Sequence, residues 1–461
     1  MVLRPKPEPE PKPTAQRFTA ATVVTRIRRA LDELPDARKG GNNQRYAMGG
    51  AGLSAFSVFF TQSPSFLDFQ VRMQKARGRN NASALFGVHK IPCTQQICNL
   101  LDPVAPEQLA PVFMDLVDNL VASGELAAHR ALDDRLLVAL DGTEHHCSEA
   151  IHCPQCSTRT LGNGKTQYYH TALTPVVLAP GQATVLPLAP AFVVPQDGQA
   201  KQDCELNAGT RWLQRWGGQL AAWRTTVLGD DLYCHQPFCE QVLAQGCAFL
   251  FVCLPGSHAL LYEWIADFER TAEVPTLVRT RWTGKQRLTD TYRWLNDLPL
   301  RDGEEALHVG WCELTTSDAE GNVLYRNAWA SSQPISAANV IAVVAAGRSR
   351  WKIENENNNT LKTKGYSFEH NYGHGKRHLA NLLASLTLLA FLAHTVLELC
   401  DRRYRAVRER LPSRRTYFQH LRALTLYWPF DSWEQLLDFM LEALEPATPP
   451  TGRAAAPGRQ I

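Results

Sequence analysis

Leu136-Leu137-Val138-Ala139-Leu140-Asp141-Gly142-Thr143 is an unbroken apolar run that ends on an acid. Five apolar residues without polar alternation form the pattern of a strand covered on both faces, as in a parallel sheet. Two more acids stand in comparable settings: Asp230 in Val227-Leu228-Gly229-Asp230-Asp231-Leu232-Tyr233, and Glu354 in Arg350-Trp351-Lys352-Ile353-Glu354-Asn355. Taken singly, an aspartate after a strand is a turn former or helix cap about three times as often as a metal ligand. The combination weighs the other way. Carboxylates held at the ends of core strands lose hydration and repel one another unless a cation joins them, and hard oxygen donors suit Mg2+ or Mn2+.

The segments Leu140-Asp141-Gly142-Thr143-Glu144, Leu228-Gly229-Asp230-Asp231-Leu232-Tyr233 and Trp351-Lys352-Ile353-Glu354-Asn355-Glu356-Asn357, followed by Glu369-His370-Asn371-Tyr372-Gly373-His374, resemble bacterial insertion-sequence transposases of the DDE class, over residues 136–392. The resemblance implies an RNase H-like catalytic core with a β-rich subdomain inserted between the second aspartate and the glutamate, an α/β fold to which helical periodicity adds an all-helical N-terminal domain. Asp141, Asp230 and Glu354 would be the catalytic acids and the ligands of two Mg2+ (or Mn2+) ions. The substrates it implies are the terminal inverted repeats of an element and a double-stranded target DNA, and synapsis of two ends makes a homodimer on DNA the expectation. The spacing suits the insertion: 88 residues lie between Asp141 and Asp230, and 123 between Asp230 and Glu354. Two rivals stay open: an RNase H-like nuclease without strand transfer, and a catalytically decayed DNA-binding regulator.

A family hallmark around the glutamate is Tyr-x2-Arg-x3-Glu-x6-Lys. Arg350 fills the arginine position, while Gly347 and Leu361 stand where the tyrosine and lysine would be, with Lys362 and Lys364 just beyond. Arg350 is read either as a holder of DNA phosphate or as an i,i+4 salt bridge to Glu354. Arg350, Trp351, Lys362 and Lys364 are the candidate DNA contacts near the acid, and Thr143 or Asn358 candidates for hydrogen bonds behind it. His370 and His374 suit DNA contact, capping or core roles alike.

Composition places the chain among intracellular proteins of two or three domains. Hydrophobic residues make up 44% of its 461, no signal-peptide pattern opens it, and the longest apolar stretch, Leu379 to Leu397, is broken by Asn381, Ser385, Thr387 and His394, as in a buried core helix. Neither a membrane role nor export is expected, and the location implied is the bacterial cytoplasm, at the nucleoid. Twelve scattered cysteines read as reduced thiols. The net charge of +3 is uninformative, but residues 15–90 carry 12 Lys/Arg against 4 Asp/Glu, which suits a phosphate-neutralising module. The seven arginines of 401–418 form a second basic cluster, read equally well as a solvated helical face.

Periodicity divides the chain into a Pro-rich tail (1–14), a helical DNA-end-binding region (15–134), the first part of the core (135–260), a β-rich insertion (261–335), the second part of the core with the glutamate helix (336–400), a basic helical region (401–445) and a loose tail (446–461). Within the core, strands are expected at 167–179 and 183–194, a helix at 204–222 and a strand at 247–254. In the insertion, Arg281 and Trp282 occupy a period-two hairpin and are candidates for phosphate and base contact, although such tryptophans more often cover a small sheet. Finally, Cys153-Pro154-Gln155-Cys156 has the two-residue spacing of a zinc knuckle, for which Cys147 and His170 are candidate partners. Free thiols on a loop are the alternative.

Overall fold

The computed structural model describes residues 18–38, 40, 44–74, 81–195 and 203–445; the two expected tails, 1–14 and 446–461, lie outside them. The strands are β1 (Arg130–Ala131), β2 (Arg135–Ala139), β3 (Gly142–Ser148), β4 (Ser157–Thr160), β5 (Thr166–Leu173), β6 (Val176–Leu178), β7 (Leu186–Pro187), β8 (Ala191–Val193), β9 (Thr225–Gly229), β10 (Ala248–Val252), β11 (Thr276–Trp282), β12 (Arg287–Pro299), β13 (His308–Ser317) and β14 (Val323–Ser331). They form a mixed α/β protein around a mixed sheet ordered β11-β12-β13-β14-β10-β9-β2-β6-β7, with a second sheet ordered β3-β5-β4. β2, β9 and β10 run parallel, whereas β6, β7 and β14 pair antiparallel to their neighbours.

The apolar run that opened the reading is the middle of this sheet. Leu136 through Leu140 are all fully buried, as are Val227 and Leu228 beside them, because helices cover both faces. The helix Glu205–Ala222 packs on β9 and β5, and Val340–Ser349 packs on β10, β12 and β13. Residues 276–331 make four long antiparallel strands, but these extend the central sheet through the β14–β10 pair instead of forming a sheet of their own.

The stretches expected as strands at 167–179 and 183–194 are cut into four. Pro175, which has no amide hydrogen to donate, lies between β5 and β6, and there the chain passes from the second sheet into the first. The strands β3 and β4 were not anticipated. In β3 only Thr143 and His145 are buried, so its alternation rests on polar side chains.

The helix Leu379–Cys400 is long and apolar enough to cross a membrane, yet 89% of its most apolar window is buried inside the protein. It packs against Met48–Phe60, Thr94–Leu101, Arg402–Arg410 and β7. Three of its polar interruptions are satisfied internally: Ser385 donates to the Asn381 carbonyl, Thr387 to the Leu383 carbonyl, and the His394 ring bridges Tyr366 Oη (2.7 Å) and the Phe60 carbonyl (3.0 Å). The N-terminal helices therefore share one hydrophobic core with the rest of the chain. All twelve cysteines are unpaired.

Candidate active site

β2 and β9 run side by side in parallel, with Ala139 paired to Leu228, so extending the register by two residues sets Asp141 beside Asp230. Neighbouring strands are about 4.8 Å apart, and the C-terminal ends of parallel strands open into a crevice. Asp141 is anchored there on three sides. Its carbonyl accepts from the Thr174 amide (3.0 Å), Asn358 Nδ2 donates to its Oδ2 (3.1 Å), and Arg350 Nη1 lies 3.9 Å from its Oδ1. Asp230 Oδ1 accepts from the Leu232 amide (3.0 Å), so this acid also caps the short helix Asp231–Tyr233. Arg350 Nη2 donates to Glu354 Oε1 at 3.1 Å.

Glu354 reaches the crevice from a segment with an unexpected geometry. Residues Ile353–Asn358 form a π-helix, an i→i+5 turn that interrupts the helical run. The widened turn presents Arg350, Glu354 and Asn358 to the same crevice, and Asn358 Oδ1 additionally accepts from Thr174 Oγ1 (3.2 Å). Both readings of Arg350 meet here: it is salt-bridged to Glu354, and it also carries the positive charge between Glu354 and Asp141.

A fourth acid, Glu205, completes the group. It lies in the first turn of Glu205–Ala222, where Tyr233 Oη donates to its Oε1 (2.7 Å). A Cβ on Gly142 would overlap its carboxylate, so the glycine after Asp141 is what lets the two acids approach. Burial and then the Glu205 charge push Asp141 up to about 7, helped by Glu354 and Asp230 and opposed by Arg350. Glu205 is itself raised by burial and by Asp230 against the Tyr233 hydrogen bond. Burial and Glu205 hold the Tyr233 phenol well above its usual range, keeping it a donor. Nothing in the sequence singled out Glu205. An acid in the first turn of a helix is the ordinary complement of the helix dipole.

The acids feel one another's charge without forming a tight ligand cluster. Among the described residues, the groups of three or more candidate ligand atoms that lie within 4.8 Å of one another contain cysteine and histidine only. As a donor set, four carboxylates against one guanidinium leave net negative charge and hard oxygens in one crevice, which fits a divalent cation such as Mg2+ or Mn2+.

Packing accounts for the two missing hallmark positions. A Cβ at Gly347 would sit 2.5 Å from Trp329 Nε1, so no larger residue fits, and Leu361 is fully buried. The lysines just beyond are paired, Lys362 with Glu369 (2.8 Å) and Lys364 with Glu356 (3.9 Å). Trp351 is half exposed beside the site, with the Arg350 guanidinium 5.6 Å from its ring centre. In the insertion, Trp282 is 68% exposed, but Arg281 is held by Asp290 at 2.6 Å. Within the C-terminal basic cluster, Arg408 and Arg414 both pair with Glu398, at 3.0 and 2.5 Å.

Cys153, Cys156 and His170 do come together, with all their ligand atoms buried. Cys147 does not join them. It is exposed at the end of β3, 3.6 Å from Arg159 Nη2, because a bulge between Glu144 and His146 breaks the alternation and sets His146, not Cys147, opposite His170. The fourth member is His374, from the loop after the glutamate segment. A second buried trio, Cys234, Cys253 and His258, lies behind Asp231.

Compared with known proteins, the chain matches no family model and no curated sequence.

Proposed function

We propose that the chain is a DNA transposase of the DDE class with an RNase H-like core, cutting element ends and joining them to target DNA. The observation that carries this reading is that Asp141 and Asp230 end adjacent parallel strands with Glu205 and Glu354 close enough that their charges add to burial in raising Asp141 to about 7. The strand order β7-β6-β2-β9-β10, with β6 antiparallel to β2 and β9 and β10 parallel to it, supports the core assignment. It is an antiparallel three-strand meander followed by two strands that each return parallel through a helix.

In this reading Asp141, Asp230 and Glu354, with Glu205 beside them, hold Mg2+ or Mn2+. Bound there, such ions activate the attacking oxygen and stabilise the leaving one. The chain's own side chains do the positioning. Asn358 fixes the Asp141 carboxylate by a hydrogen bond, and Tyr233 fixes Glu205. Arg350 balances charge between Asp141 and Glu354, and in this reading it would hold a DNA phosphate. Trp351 offers an exposed aromatic face for an unstacked base. Water attack on the phosphodiester frees a 3′-hydroxyl, which then attacks target DNA. The proposed partner is accordingly double-stranded DNA, bound by a homodimer. The expected structural Zn2+ belongs to the Cys/His cluster and takes no part in this chemistry.

The test is Asp230→Asn assayed on end-labelled element DNA with a target plasmid. Cleavage falls by at least about 1,000-fold while end binding stays within severalfold, as for removal of a group needed only in the reaction. Normal cleavage by the variant at ordinary Mg2+ removes Asp230 from the site. Cleavage by the unaltered chain without joined products favours the nuclease reading.

A further inference from the structure

We propose that Cys153 Sγ, Cys156 Sγ, His170 Nε2 and His374 Nε2 bind one Zn2+, and that this ion clasps the second sheet to the loop after the glutamate-bearing segment. Four of the six separations among these atoms match the edges of a tetrahedral site, and the other two lie within 4.8 Å. Zinc bonds of about 2.3 Å to sulfur and about 2.0–2.1 Å to nitrogen give tetrahedron edges of about 3.8 Å between sulfurs and about 3.5–3.6 Å between sulfur and nitrogen. The observed edges are 3.9 Å for Cys153–Cys156, 3.5 Å for Cys153–His170, 3.3 Å for Cys156–His170 and 3.6 Å for Cys156–His374. Two cysteines and two histidines from three separate segments do not reach these separations by ordinary apolar packing.

Charge and burial point the same way. All four residues are buried, at 1–8% exposure. Zn2+ replaces two thiol protons, which leave to solvent, so the filled site is as neutral as the empty one and suits a dry environment. The knuckle is preformed: the Cys156 amide donates to the Cys153 carbonyl (3.1 Å) and the Cys153 amide to Cys156 Sγ (3.4 Å).

The ligands define what the ion does. Cys153 and Cys156 lie in the turn between β3 and β4, and His170 lies on β5 opposite His146 of β3. His374 precedes Gly375, whose φ of +70° turns the chain into the helix Leu379–Cys400. Asp102 locks the same turn from the N-terminal side, accepting from the Lys376 and Arg377 amides at 3.0 Å each. The 141–174 and 350–378 segments are thus joined twice, by the Asp141–Asn358–Thr174 hydrogen bonds and by the four metal ligands. The two joints, at His170 and Thr174, are four residues apart along the chain, about 13 Å. This inference does not depend on what the acids do, so it stands or falls apart from the transposase reading.

The experiment is metal analysis of the full-length purified chain by plasma mass spectrometry, together with cobalt(II) exchange. The unaltered chain carries about one zinc, and His374→Ala and Cys156→Ser each carry less than about a fifth of that, while Cys147→Ser keeps it. Cobalt gives the intense visible bands of a tetrahedral site with thiolate charge transfer. Because a ligand variant can unfold, the cobalt spectrum of the unaltered protein is the independent readout. Full zinc in His374→Ala, loss of zinc in Cys147→Ser, a folded chain with neither zinc nor the cobalt spectrum, or a mass 2 Da low from a Cys153–Cys156 disulfide each overturns the proposal.

Discussion

The acid crevice and the Cys/His cluster both draw on the stretch running on from β2 and the one following Val340–Ser349, the crevice adding Asp230 and Glu205 from elsewhere, yet only the cluster closes tightly. Its four ligand atoms all lie within 4.8 Å of one another, whereas the carboxylates show mutual repulsion and share the single guanidinium of Arg350. The difference is electrostatic. A protonated thiol and an imidazole carrying a single ring proton are both neutral and pack together at little cost, but buried carboxylates pay for approach in desolvation and Coulomb repulsion. A soft site can therefore be assembled by folding, while a hard one is only prepared.

The largest effect expected from this contrast comes from removing one cation at a time. Dialysis into Mg2+-free buffer abolishes cleavage, by at least about 1,000-fold, and leaves the melting temperature within about 2 °C, because the acids are not what holds the fold. Stripping zinc with a strong chelator lowers the melting temperature by on the order of 10 °C. If both treatments change stability equally, the two sites are not the separate devices described. Next in size, Glu205→Gln lowers cleavage by about 10–100-fold, as for a carboxylate that supports or joins the ligand set. Unchanged turnover would reduce Glu205 to a helix-dipole acid.

The smallest effect is on stability against pH. Asp141 holds its proton up to about 7 in the folded chain against 3.8 for the free side chain, so folding takes up a proton between those values and stability falls as pH rises through them. In metal-free buffer at pH 8, Asp141→Asn is more stable than the unaltered chain by ~1–3 kcal/mol, and at pH 3 the two converge. Denaturant titrations at the two pH values read this directly, and parallel curves for the two proteins would sink the assignment.

Sequence pattern carried far in the core and stopped at particular residues. Apolar runs and helical periodicity located β2, β9 and β10, the helix Glu205–Ala222, the buried Leu379–Cys400 and the hairpins of 276–331, because each of these reports a local period. The second sheet stayed hidden because β3 buries only Thr143 and His145, which no hydropathy pattern marks. The π-turn at Glu354 was equally hidden, since a run of glutamates and asparagines carries no distinct signature for i→i+5 bonding. At the metal cluster, the Cys-x2-Cys spacing was readable and the choice of partner was not: Cys147 is near in sequence, but His374 stands 218 residues from Cys156.

The amino-acid order alone settled which acids end core strands, which thiols form a knuckle and where the chain changes from helical to alternating periodicity, because all of these depend on neighbours a few residues apart. Only the tertiary structure decided that Glu205 joins Asp141, that Arg350 bridges two acids and that His374 displaces Cys147. Those outcomes depend on sheet register and on which loops meet across the core, and residues that far apart in sequence come together only when the rest of the chain has packed.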